Sequence, residues 1–531
     1  MKQKSHLLTG LFVAVLLIST LIKVLSVVNY NFPFTFDQGR DMVDLRRMVV
    51  TGTPRLVGPT TSINGVLLGP FYYYFILPPF LLFGGNPLAI VLWQSFWFQL
   101  SVIFLWFILK RKSLIQANIA AILLLLMPTG FYTSRMFFNA NLMPVFTIFF
   151  IALLIQTLAD TTIRKSFFLG LFCGLSLQIE AAFGIIFFPF VLLLFLWRKI
   201  SRKIIIYLTG GFLTTLIPQA LFEIRHGFLM TKLFLDEILG RSTILGPKMD
   251  WSHKLAERTL LLVSLIRDTN HTPFEILQVI YWLLIGIAFV SFLLYHRKQN
   301  KVPNQLLQIS VLLIIFSALF YLLFSQQVKH WYVLGLSIPL VLFVSSIVER
   351  IYSKNFPGKL LVCLFLLFSL FHTLKAHNEY IISNSRPSDD PSYLVNEMKA
   401  VDWVYQKAAG QGFREYTYIP AIYDYPFQHV FWWYGTKKYG YQPEEIAYLP
   451  GQPEYILDQK QAWTKTRPTK SGVPVFLIIQ GDGDHTLRFL GWLGNFAAYC
   501  VQEKINITKS LQVVMLGSCS EGQPNITISP W

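Results

Sequence analysis

The sequence predicts a polytopic α-helical membrane protein that ends in a smaller α/β domain. Of its 531 residues, 54% are hydrophobic and only 14% are charged, whereas soluble domains carry about 25% charged residues. Apolar stretches long enough to cross a bilayer recur as far as residue 375. From residue 376 onward the chain is polar, with Pro, Gly and Asp turns between short apolar runs, a pattern typical of a soluble α/β fold.

The spans are predicted from the apolar runs of residues 1–375. The first run, 7–28, is longer than the core of a signal peptide and no small-residue cleavage site follows it, so we expect it to be retained. The run 166–197 is long enough for a hairpin of two spans. The other runs are 88–109, 114–133, 141–158, 203–222, 277–295, 305–324, 331–348 and 358–375. Together they predict about 11 spans.

Segment 66–84 decides the sidedness of the protein. Its prolines interrupt regular helix, and its aromatic run 71–74 suits the level of the lipid headgroups. If the segment lies at the interface, every basic cluster between spans falls on the same side as the N-terminal "MKQK". That satisfies the positive-inside rule, so we expect a cytoplasmic N-terminus, an extracytoplasmic first loop 29–87 and an extracytoplasmic C-terminal domain in the cell membrane. If the segment spans instead, the basic cluster at 110–112 lies on the same side of the membrane as residues 29–65.

The formal net charge of +17 does not indicate a nucleic-acid-binding protein. Most Lys and Arg residues lie in short clusters between apolar runs, where cytoplasmic loops meet anionic lipid. We therefore expect membrane lipids, and no nucleic acid, as partners of these clusters.

The C-terminal domain, residues 376–531, shows both helical and strand patterns. Residues 391–410 and 485–500 read as amphipathic helices, and 473–481 and 510–516 read as strands. Cys500 and Cys519 can form a disulfide if the compartment is oxidising, or remain free thiols.

An aromatic run occupies residues 423–441 of this domain. Its rings can stack on sugar faces, or they can form the domain's own core or an interfacial belt. The rings concerned belong to Trp432, Trp433, Tyr434 and Tyr439.

The densest charge cluster lies in the first loop, in "TFDQGRDMVDLRRM", residues 35–48. Apolar residues recur there at helical spacing, so we expect an amphipathic helix lying flat on the outer surface. Asp37 is placed to cap it. The simplest interpretation is a solvated interfacial helix and nothing more. The charged residues are Asp37, Arg40, Asp41, Asp44, Arg46 and Arg47.

The order of these features resembles the GT-C superfamily of membrane glycosyltransferases, in the branch of aminoarabinose transferase and the protein O-mannosyltransferases. A carboxylate after the first span and a flat helix precede "NGVLLGPFYYYFILPPFLLFGGNP". The segments "MPTGFYTSRMFFNANLMPVFTIFFIALL", "FFLGLFCGLSLQIEAAFGIIFFPFVLLLFLW" and "KHWYVLGLSIPL" are similar to the family's later outer turns. The resemblance covers residues 1–375, and the C-terminal domain matches no pattern.

The resemblance implies inverting transfer of a sugar from a polyprenyl-phosphate donor to a glycan, lipid or protein acceptor on the extracytoplasmic side. Such a site needs a base for the acceptor proton and cations for the leaving phosphate. Asp37 matches the family's first-loop carboxylate and takes the role of base. Asp41, one turn later, is its nearest partner, or else it pairs with Arg40 or Arg46.

Further site residues are expected at the predicted outer turns. Candidate phosphate-binding groups, which are alternatively snorkelling interfacial cations, are Arg135, Arg225, His226, Lys329 and His330. Candidate substrate-binding residues are Arg40, Asn139, Asn141, Gln178 and Glu180. Asn139 and Asn141 stand where the family often has a carboxylate, and an amide brings no charge to a divalent ion. The sequence names no cofactor and leaves metal dependence open.

Two other classes of function compete with the enzyme. A transporter or flippase of lipid-linked sugars is expected to show charges within its spans and two related halves. Here the charges cluster at the ends of the spans and the halves look unrelated. The third class is a non-catalytic surface-binding membrane protein.

The sidedness is testable with single cysteines and a membrane-impermeant thiol reagent. We expect cysteines at positions 37, 240 and 450 to be labelled from outside intact cells, and a cysteine at position 111 to be labelled only after the membrane is opened. Outside labelling of position 111 would show that segment 66–84 spans the membrane.

Overall fold

The computed structural model describes residues 2–61, 65–238, 250–270, 283–287, 290, 305–324, 327–385, 388–451, 466–467, 474–481, 483 and 485–519. The chain divides into two compact units. Unit 1 comprises Met1–Val24, Arg55–Phe75 and Leu92–Glu379. Unit 2 comprises Leu25–Pro54, Ile76–Val91 and Tyr380–Trp531, so part of the first loop groups with the C-terminal residues.

The described residues up to 385 are mostly helical. Short 3₁₀ helices occupy Asn139–Leu142 and His330–Leu336. The α-helices are Lys2–Leu25, Phe36–Thr51, Phe71–Leu82, Pro87–Leu109, Leu114–Leu126, Pro128–Tyr132, Met143–Ala159, Ile163–Ile179, Ala181–Gly184, Phe187–Trp197, Arg202–Thr215, Ile217–Arg225, Leu229–Ile238, Trp251–Asn270, Gln305–Leu323, Ser337–Tyr352 and Phe356–Ser385.

Six helices of the described residues are long and apolar enough to cross a membrane. They are His6–Leu25, Pro87–Leu109, Asn139–Ala159, Gln305–Leu323, His330–Tyr352 and Phe356–Lys375. Arg202–Thr215 and Ile217–Arg225, which meet at 51°, make a seventh if they form one span. The prediction of a polytopic membrane protein is confirmed. The count of about 11 spans stays a prediction, and the run 277–295 lies for the most part outside the described residues.

The prolines of segment 66–84 do not break its helix. Phe71–Leu82 continues through Pro78 and Pro79, contrary to the sequence-based expectation. Pro79 has no N–H for the carbonyl of Phe75, and the indole Nε1 of Trp93 donates to that oxygen at 2.9 Å instead. Twelve residues give a helix of about 18 Å, too short for a hydrocarbon core of roughly 30 Å.

Two helices of unit 1, Ile163–Ile179 and Arg202–Thr215, approach each other backbone to backbone. A Cβ at Gly170 would collide with the carbonyl group of Leu208, and a Cβ at Gly211 would collide with that of Phe167. Small residues at such crossings let apolar helices pack closely without a hydrophobic driving force. After Ile163–Ile179 the chain turns at Glu180 into the short helix Ala181–Gly184, and Phe187–Trp197 follows.

Unit 2 contains a five-stranded mixed sheet. Its strands are β1 (Arg414–Tyr418), β2 (Glu445–Ala447), β3 (Val475–Gln480), β4 (Cys500–Thr508) and β5 (Leu511–Gly517), in the order β2-β1-β3-β5-β4. β1 runs parallel to β2 and β3, and β5 is antiparallel to β3 and β4. Tyr416, Leu477 and Val514 form a core with Phe489 and Trp492. The predicted α/β domain is therefore confirmed.

The local predictions for this domain are confirmed with one correction. Helix Leu394–Ala408 and strands β3 and β5 form where expected, and Cys500 and Cys519 are joined by a disulfide. The predicted helix 485–500 is wrong in length. The helix ends at Leu493. Cys500 pairs with Gly517 as the first residue of β4, so it belongs to the sheet and not to the helix.

The aromatic run 423–441 packs within unit 2 rather than standing free for sugars. Tyr439 stacks on Tyr405 with ring centroids 4.3 Å apart. Trp433 is buried and stacks on His429. Trp433 therefore has the core role that was one of the three alternatives, whereas Trp432, Tyr434 and Tyr439 are half-buried. Trp432 stacks on Phe80 and Tyr434 donates to Asp402, which also pairs with Lys438.

The first-loop helix, Phe36–Thr51, packs inside unit 2. The chain before it pairs with the start of helix Leu394–Ala408, since Phe34 N donates to Ser392 O at 2.8 Å and Leu394 N to Phe32 O at 3.1 Å. The helix then lies against Tyr425–Val430. The expectation of a solvated helix is wrong in part. Three of its charged residues are buried, Arg40, Asp41 and Arg46, whereas Asp37 and Arg47 remain accessible to solvent.

Gly39 permits this packing and gives a test of it. A Cβ at Gly39 would lie 2.7 Å from Pro426 Cδ and from the carbonyl carbon of Tyr425. We expect Gly39→Ala to lower the melting temperature, because overpacking costs about 1–3 kcal/mol against a gain in helix propensity of about 1 kcal/mol. Gly210, on helix Arg202–Thr215, has nothing within 4 Å of the corresponding position. Gly210→Ala is thus the matched control and should be neutral or stabilising; the same sign for both changes would contradict the packing.

Candidate active site

The first-loop helix begins with a polar turn that places Asp37. Thr35 is the N-cap, with extended backbone, and Gln38 Oε1 accepts hydrogen bonds from Thr35 N at 3.0 Å and from Thr35 Oγ1 at 2.6 Å. Asp37 therefore does not cap the helix as expected. It lies in the first turn, where the helix dipole favours an anion, and its side chain is 41% exposed.

Arg40 lies between the two carboxylates of the helix. Its Nη1 donates to Asp37 Oδ1 at 2.8 Å, while Nε and Nη2 donate to Asp41 Oδ1 at 3.1 and 2.8 Å. Pairing of Asp41 with Arg40, one of the alternatives read from the sequence, is confirmed. Asp41 is fully buried whereas Asp37 reaches solvent, so the buried pair anchors a guanidinium that in turn holds the exposed carboxylate.

Burial dominates the electrostatics of Asp41. Burial raises the pKa of Asp41 to about 7, and the charge of Arg40 opposes that shift. The charges of Asp37 and Asp44 add less to it than burial does. Desolvation, and not repulsion between two carboxylates, is the main reason for the raised pKa.

Two buried basic residues join separate segments of unit 2: Arg46 joins the first-loop helix to the C-terminal segment, and His429 joins that segment to Gly85. Arg46 Nη1 donates to Gln428 O at 2.9 Å, and its guanidinium lies 5.8 Å from the ring of Trp432. His429 Nε2 lies 2.8 Å from Gly85 O, so this nitrogen carries the proton, because a carbonyl oxygen only accepts. Burial lowers the pKa of His429 to about 3.

The remaining predicted site residues belong to unit 1, where several turns come together. The 3₁₀ helices Asn139–Leu142 and His330–Leu336 pack against each other, and the second also contacts helix Ala181–Gly184. Glu180 caps that last helix, since its Oε1 accepts from Ala182 N at 3.2 Å. Its Oε2 accepts from Asn139 Nδ2 at 3.2 Å. The structure thus joins Asn139 to Glu180 across 41 residues of sequence.

Gln178 connects this group of turns to the first-loop residues of unit 1. Its Oε1 accepts from Phe71 N at 3.1 Å, and its Nε2 donates to Thr215 O. Gly69 packs against the Gln178 side chain so closely that a Cβ there would lie 2.6 Å from its Oε1. Leu67 N donates to Met230 Sδ at 3.4 Å. This hydrogen bond joins the first loop to the segment that follows Arg225 and His226.

The predicted cations of unit 1 fall into two kinds. Arg135 is buried at the turn after helix Pro128–Tyr132, close in sequence to Asn141, whose Nδ2 donates to Met136 O at 2.9 Å. The other four are exposed, a placement open to a ligand and also compatible with snorkelling: Arg225, His226, Lys329 and His330. His226 stacks on Phe222, and Lys329 donates to Gln327 Oε1.

Sequence reasoning missed two residues of this region. The hydroxyl of Tyr321 lies 2.7 Å from Tyr332 O and 3.0 Å from Ala182 O, linking the turns that carry Glu180 and His330. Arg258 Nε donates to Tyr321 O at 3.2 Å and the side chain is buried. Arg258 lies beside Glu257 in the polar first half of its helix, and this pattern gave no signal of a functional role. Tyr321 lies in an apolar span and gave none.

No group of three or more His, Cys, Asp or Glu residues in the described part of the chain is arranged to hold a metal ion. Within the described residues, a divalent cation therefore has no assigned ligands.

Comparisons with known proteins bear on this arrangement. Residues 68–221 match the family described as dolichyl-phosphate-mannose-protein mannosyltransferase. The structure is similar to ArnT from Cupriavidus metallidurans in the apo state, with 12% identity, 96% of this chain and 97% of that chain covered, and a TM-score of 0.57. For ArnT bound to undecaprenyl phosphate the identity is 13%, the coverage is the same and the TM-score is 0.58.

A third similar structure is the archaeal oligosaccharyltransferase AglB from Archaeoglobus fulgidus, in complex with an inhibitory peptide and a dolichol-phosphate. The identity is 12%, 97% of this chain and 75% of that chain are covered, and the TM-score is 0.47. No curated protein sequence matches the chain. The resemblance to the aminoarabinose transferase and O-mannosyltransferase branch of the GT-C superfamily is confirmed, in the form of a shared fold and a matching segment.

The buried imidazole of His429 predicts acid sensitivity. An unfolded chain protonates its histidines near pH 6.5, whereas native His429 binds a proton only near pH 3. Between these values the free energy of unfolding falls as the pH falls, by about 1.4 kcal/mol per pH unit. His429→Gln keeps an N–H for Gly85 O and does not titrate, so between pH 7 and pH 5 it should lose about 2 kcal/mol less than wild type.

Thermal unfolding of purified protein at the two pH values measures this difference. His485, which is exposed in the same unit, provides the control variant His485→Gln. Equal acid losses in wild type and His429→Gln would contradict the assignment.

Proposed function

We propose that this chain is a glycosyltransferase that moves a sugar from a polyprenyl-phosphate-linked donor to an acceptor on the extracytoplasmic side of the membrane. The observation that carries the proposal is the exposed Asp37 carboxylate, held by Arg40 at the start of the first-loop helix. The fold shared with ArnT and the match of residues 68–221 to a mannosyltransferase family supply the reaction class and the kind of donor.

The reaction is a single displacement with inversion. A nucleophilic oxygen or nitrogen of the acceptor attacks the anomeric carbon on the face opposite the phosphate. The bond from that carbon to the phosphate oxygen breaks, and polyprenyl phosphate leaves with the electron pair. Asp37 takes the proton that the acceptor loses. General-base catalysis of this kind contributes typically 10²–10⁴-fold to a rate.

Arg40 and Asp41 act as positioning residues in this mechanism. Arg40 is largely buried and donates to both carboxylates, so it fixes the direction of Asp37. Asp41 is fully buried and does not meet the substrate itself, but its carboxyl oxygen accepts two hydrogen bonds from the guanidinium of Arg40. The exposed oxygen of Asp37 then points where an acceptor can reach it.

The leaving phosphate is stabilised by cations of unit 1. Arg225, His226, Lys329 and His330 are exposed at the ends of helices, where a charged lipid headgroup can approach. Charge-assisted hydrogen bonds from such groups stabilise negative charge that develops on the leaving oxygen. Arg135, in contrast, is buried at its turn and is proposed to act on the phosphate only through that turn.

The polar residues of the unit 1 turns are proposed to shape the site. Gln178, Asn139, Asn141 and Glu180 are buried, and each bonds to backbone groups of neighbouring turns. Their side chains thereby hold the loops at a fixed spacing. Substrate specificity then depends on the turn conformations that these residues maintain.

The enzyme is distinguished from a flippase and from a surface-binding protein by one assay. Purified protein is reconstituted in vesicles with a radiolabelled polyprenyl-phosphate sugar and a cell-envelope extract as acceptor. Label moving from the lipid to the acceptor supports the enzyme. Labelled lipid that crosses the bilayer without transfer supports the flippase, and binding without either event supports the surface protein.

The role of Asp37 is tested by Asp37→Asn. This change keeps the size of the side chain and a hydrogen bond to Arg40 but removes the base, so turnover should fall by at least about 10²-fold. Donor binding and melting temperature should stay close to wild type, because Asp37 lies at the surface of its helix. Asp389→Asn, at an exposed carboxylate of the same unit, is the control. Wild-type turnover in Asp37→Asn would refute the proposal for this residue.

A further inference from the structure

A cavity of about 160 Å³ opens within unit 2 where the first loop meets the C-terminal segment. Its walls are residues 34–36 of the first loop, residues 419–421 and 426–427, and the side chains of Ser392, Glu397 and Gln480. Residue 36 directly precedes Asp37. The cavity therefore lies at the N-terminus of the first-loop helix, next to the proposed base.

Glu397 supplies a polar group that the surrounding protein does not satisfy. It lies in the first turn of helix Leu394–Ala408 and is only 2% exposed. Its Oε2 has no hydrogen-bond partner among the described residues. A buried carboxyl oxygen without a partner costs about 1–3 kcal/mol, and a ligand hydroxyl in the cavity would recover that energy.

The protonation state of Glu397 fits a neutral ligand. Burial raises the pKa of this carboxyl well above its usual range, and the charge of Asp390 raises it further. A protonated carboxyl both donates and accepts hydrogen bonds. Lys, Arg and His are absent from the described residues that line the cavity, so the cavity offers no counter-charge for a phosphate.

The rest of the cavity combines further polar groups with apolar rings. Gln480 Nε2 donates to Ser392 Oγ at 3.1 Å, which fixes the amide at the wall. Phe34, Phe36 and Phe427 provide aromatic surface. A mostly apolar lining with a few fixed polar groups is typical of a small-molecule site, and a sugar presents both hydroxyl groups and C–H faces.

We propose that this cavity binds one neutral sugar unit of the acceptor, with hydroxyl groups on Glu397 and Gln480 and a C–H face on the phenylalanine rings. The assignment to the acceptor rests on the proposed function: the cavity belongs to the unit that carries Asp37, which takes the acceptor's proton, whereas the proposed phosphate-binding cations belong to unit 1. The acceptor is accordingly a glycan or glycolipid.

Direct binding to the full-length protein tests the site without requiring turnover. The probes are the methyl glycosides of glucose, galactose, mannose, N-acetylglucosamine and arabinose. Their binding is measured by saturation-transfer NMR on protein in nanodiscs. We expect at least one probe to bind, and Glu397→Leu to weaken its binding at least about tenfold, since two hydrogen-bonding oxygens are lost. Glu397→Gln should retain most of the binding, and Asp389→Asn should equal wild type.

Gln480→Leu provides a second variant on another element and should also weaken binding. Failure of all five probes to bind wild-type protein would overturn the site, and so would wild-type affinity in a folded Glu397→Leu or Gln480→Leu variant. The labelled-donor assay distinguishes failure of the sugar site from failure of the proposed function. Sugar binding without transfer would leave the cavity as a sugar site and refute the acceptor role, whereas transfer without sugar binding would refute the cavity alone.

Discussion

The burial of Arg46 is the constraint on which the arrangement of unit 2 depends. Burial lowers the pKa of its guanidinium to about 10, so it is still charged at neutral pH and must be paired inside the protein. Its partners come from the C-terminal segment: the carbonyl of Gln428, the ring of Trp432 and the charge of Asp424. Removing one partner of a buried charge costs about 3–5 kcal/mol, so the first-loop helix and the C-terminal segment are held as one body.

In the proposed reaction, this constraint makes the C-terminal residues the support of the base. The proposed base lies at the start of the helix that Arg46 fixes, and Gly39 lets that helix approach Pro426 closely. The pair of Arg40 with Asp41 then transmits the fixed position to Asp37. The aromatic run 423–441, for which the sequence left a sugar platform, a core and an interfacial belt open, packs against Phe80 and Tyr405. The sugar-binding cavity that we propose lies on the same support.

In unit 1, the loops at the ends of the apolar helices must be held in order. Such helices bring little polar surface of their own, so a few buried polar side chains fix the turns. Gln178 bonds to the backbone of two other segments, and Glu180 with Asn139 joins two turns. Tyr321 connects a third. In an apolar environment, breaking such a hydrogen bond leaves a costly unpaired polar group. These bonds therefore hold the turns in place.

The sequence by itself determined the class of the protein, the strands β3 and β5, the helix Leu394–Ala408 and the position of Asp37 after the first span. These follow from local periodicity and composition, which need no knowledge of distant contacts. It did not determine that Thr35 caps the first-loop helix or that Pro78 and Pro79 lie inside a helix. The carbonyl that Pro79 leaves unbonded is satisfied by Trp93, a partner that local pattern does not reveal.

Tertiary structure alone decided which charged residues are buried. Arg40 and Asp41 lie on the face that an isolated amphipathic helix would leave in water, and the approach of Tyr425–Val430 accompanies their burial and that of Arg46. Tertiary structure likewise joined Glu180 to Asn139, and Glu397 to Gln480 around one cavity. Burial and the pairing of distant polar groups depend on which segments meet, and that depends on the free energy of the whole fold, not on the neighbours of each residue in the chain.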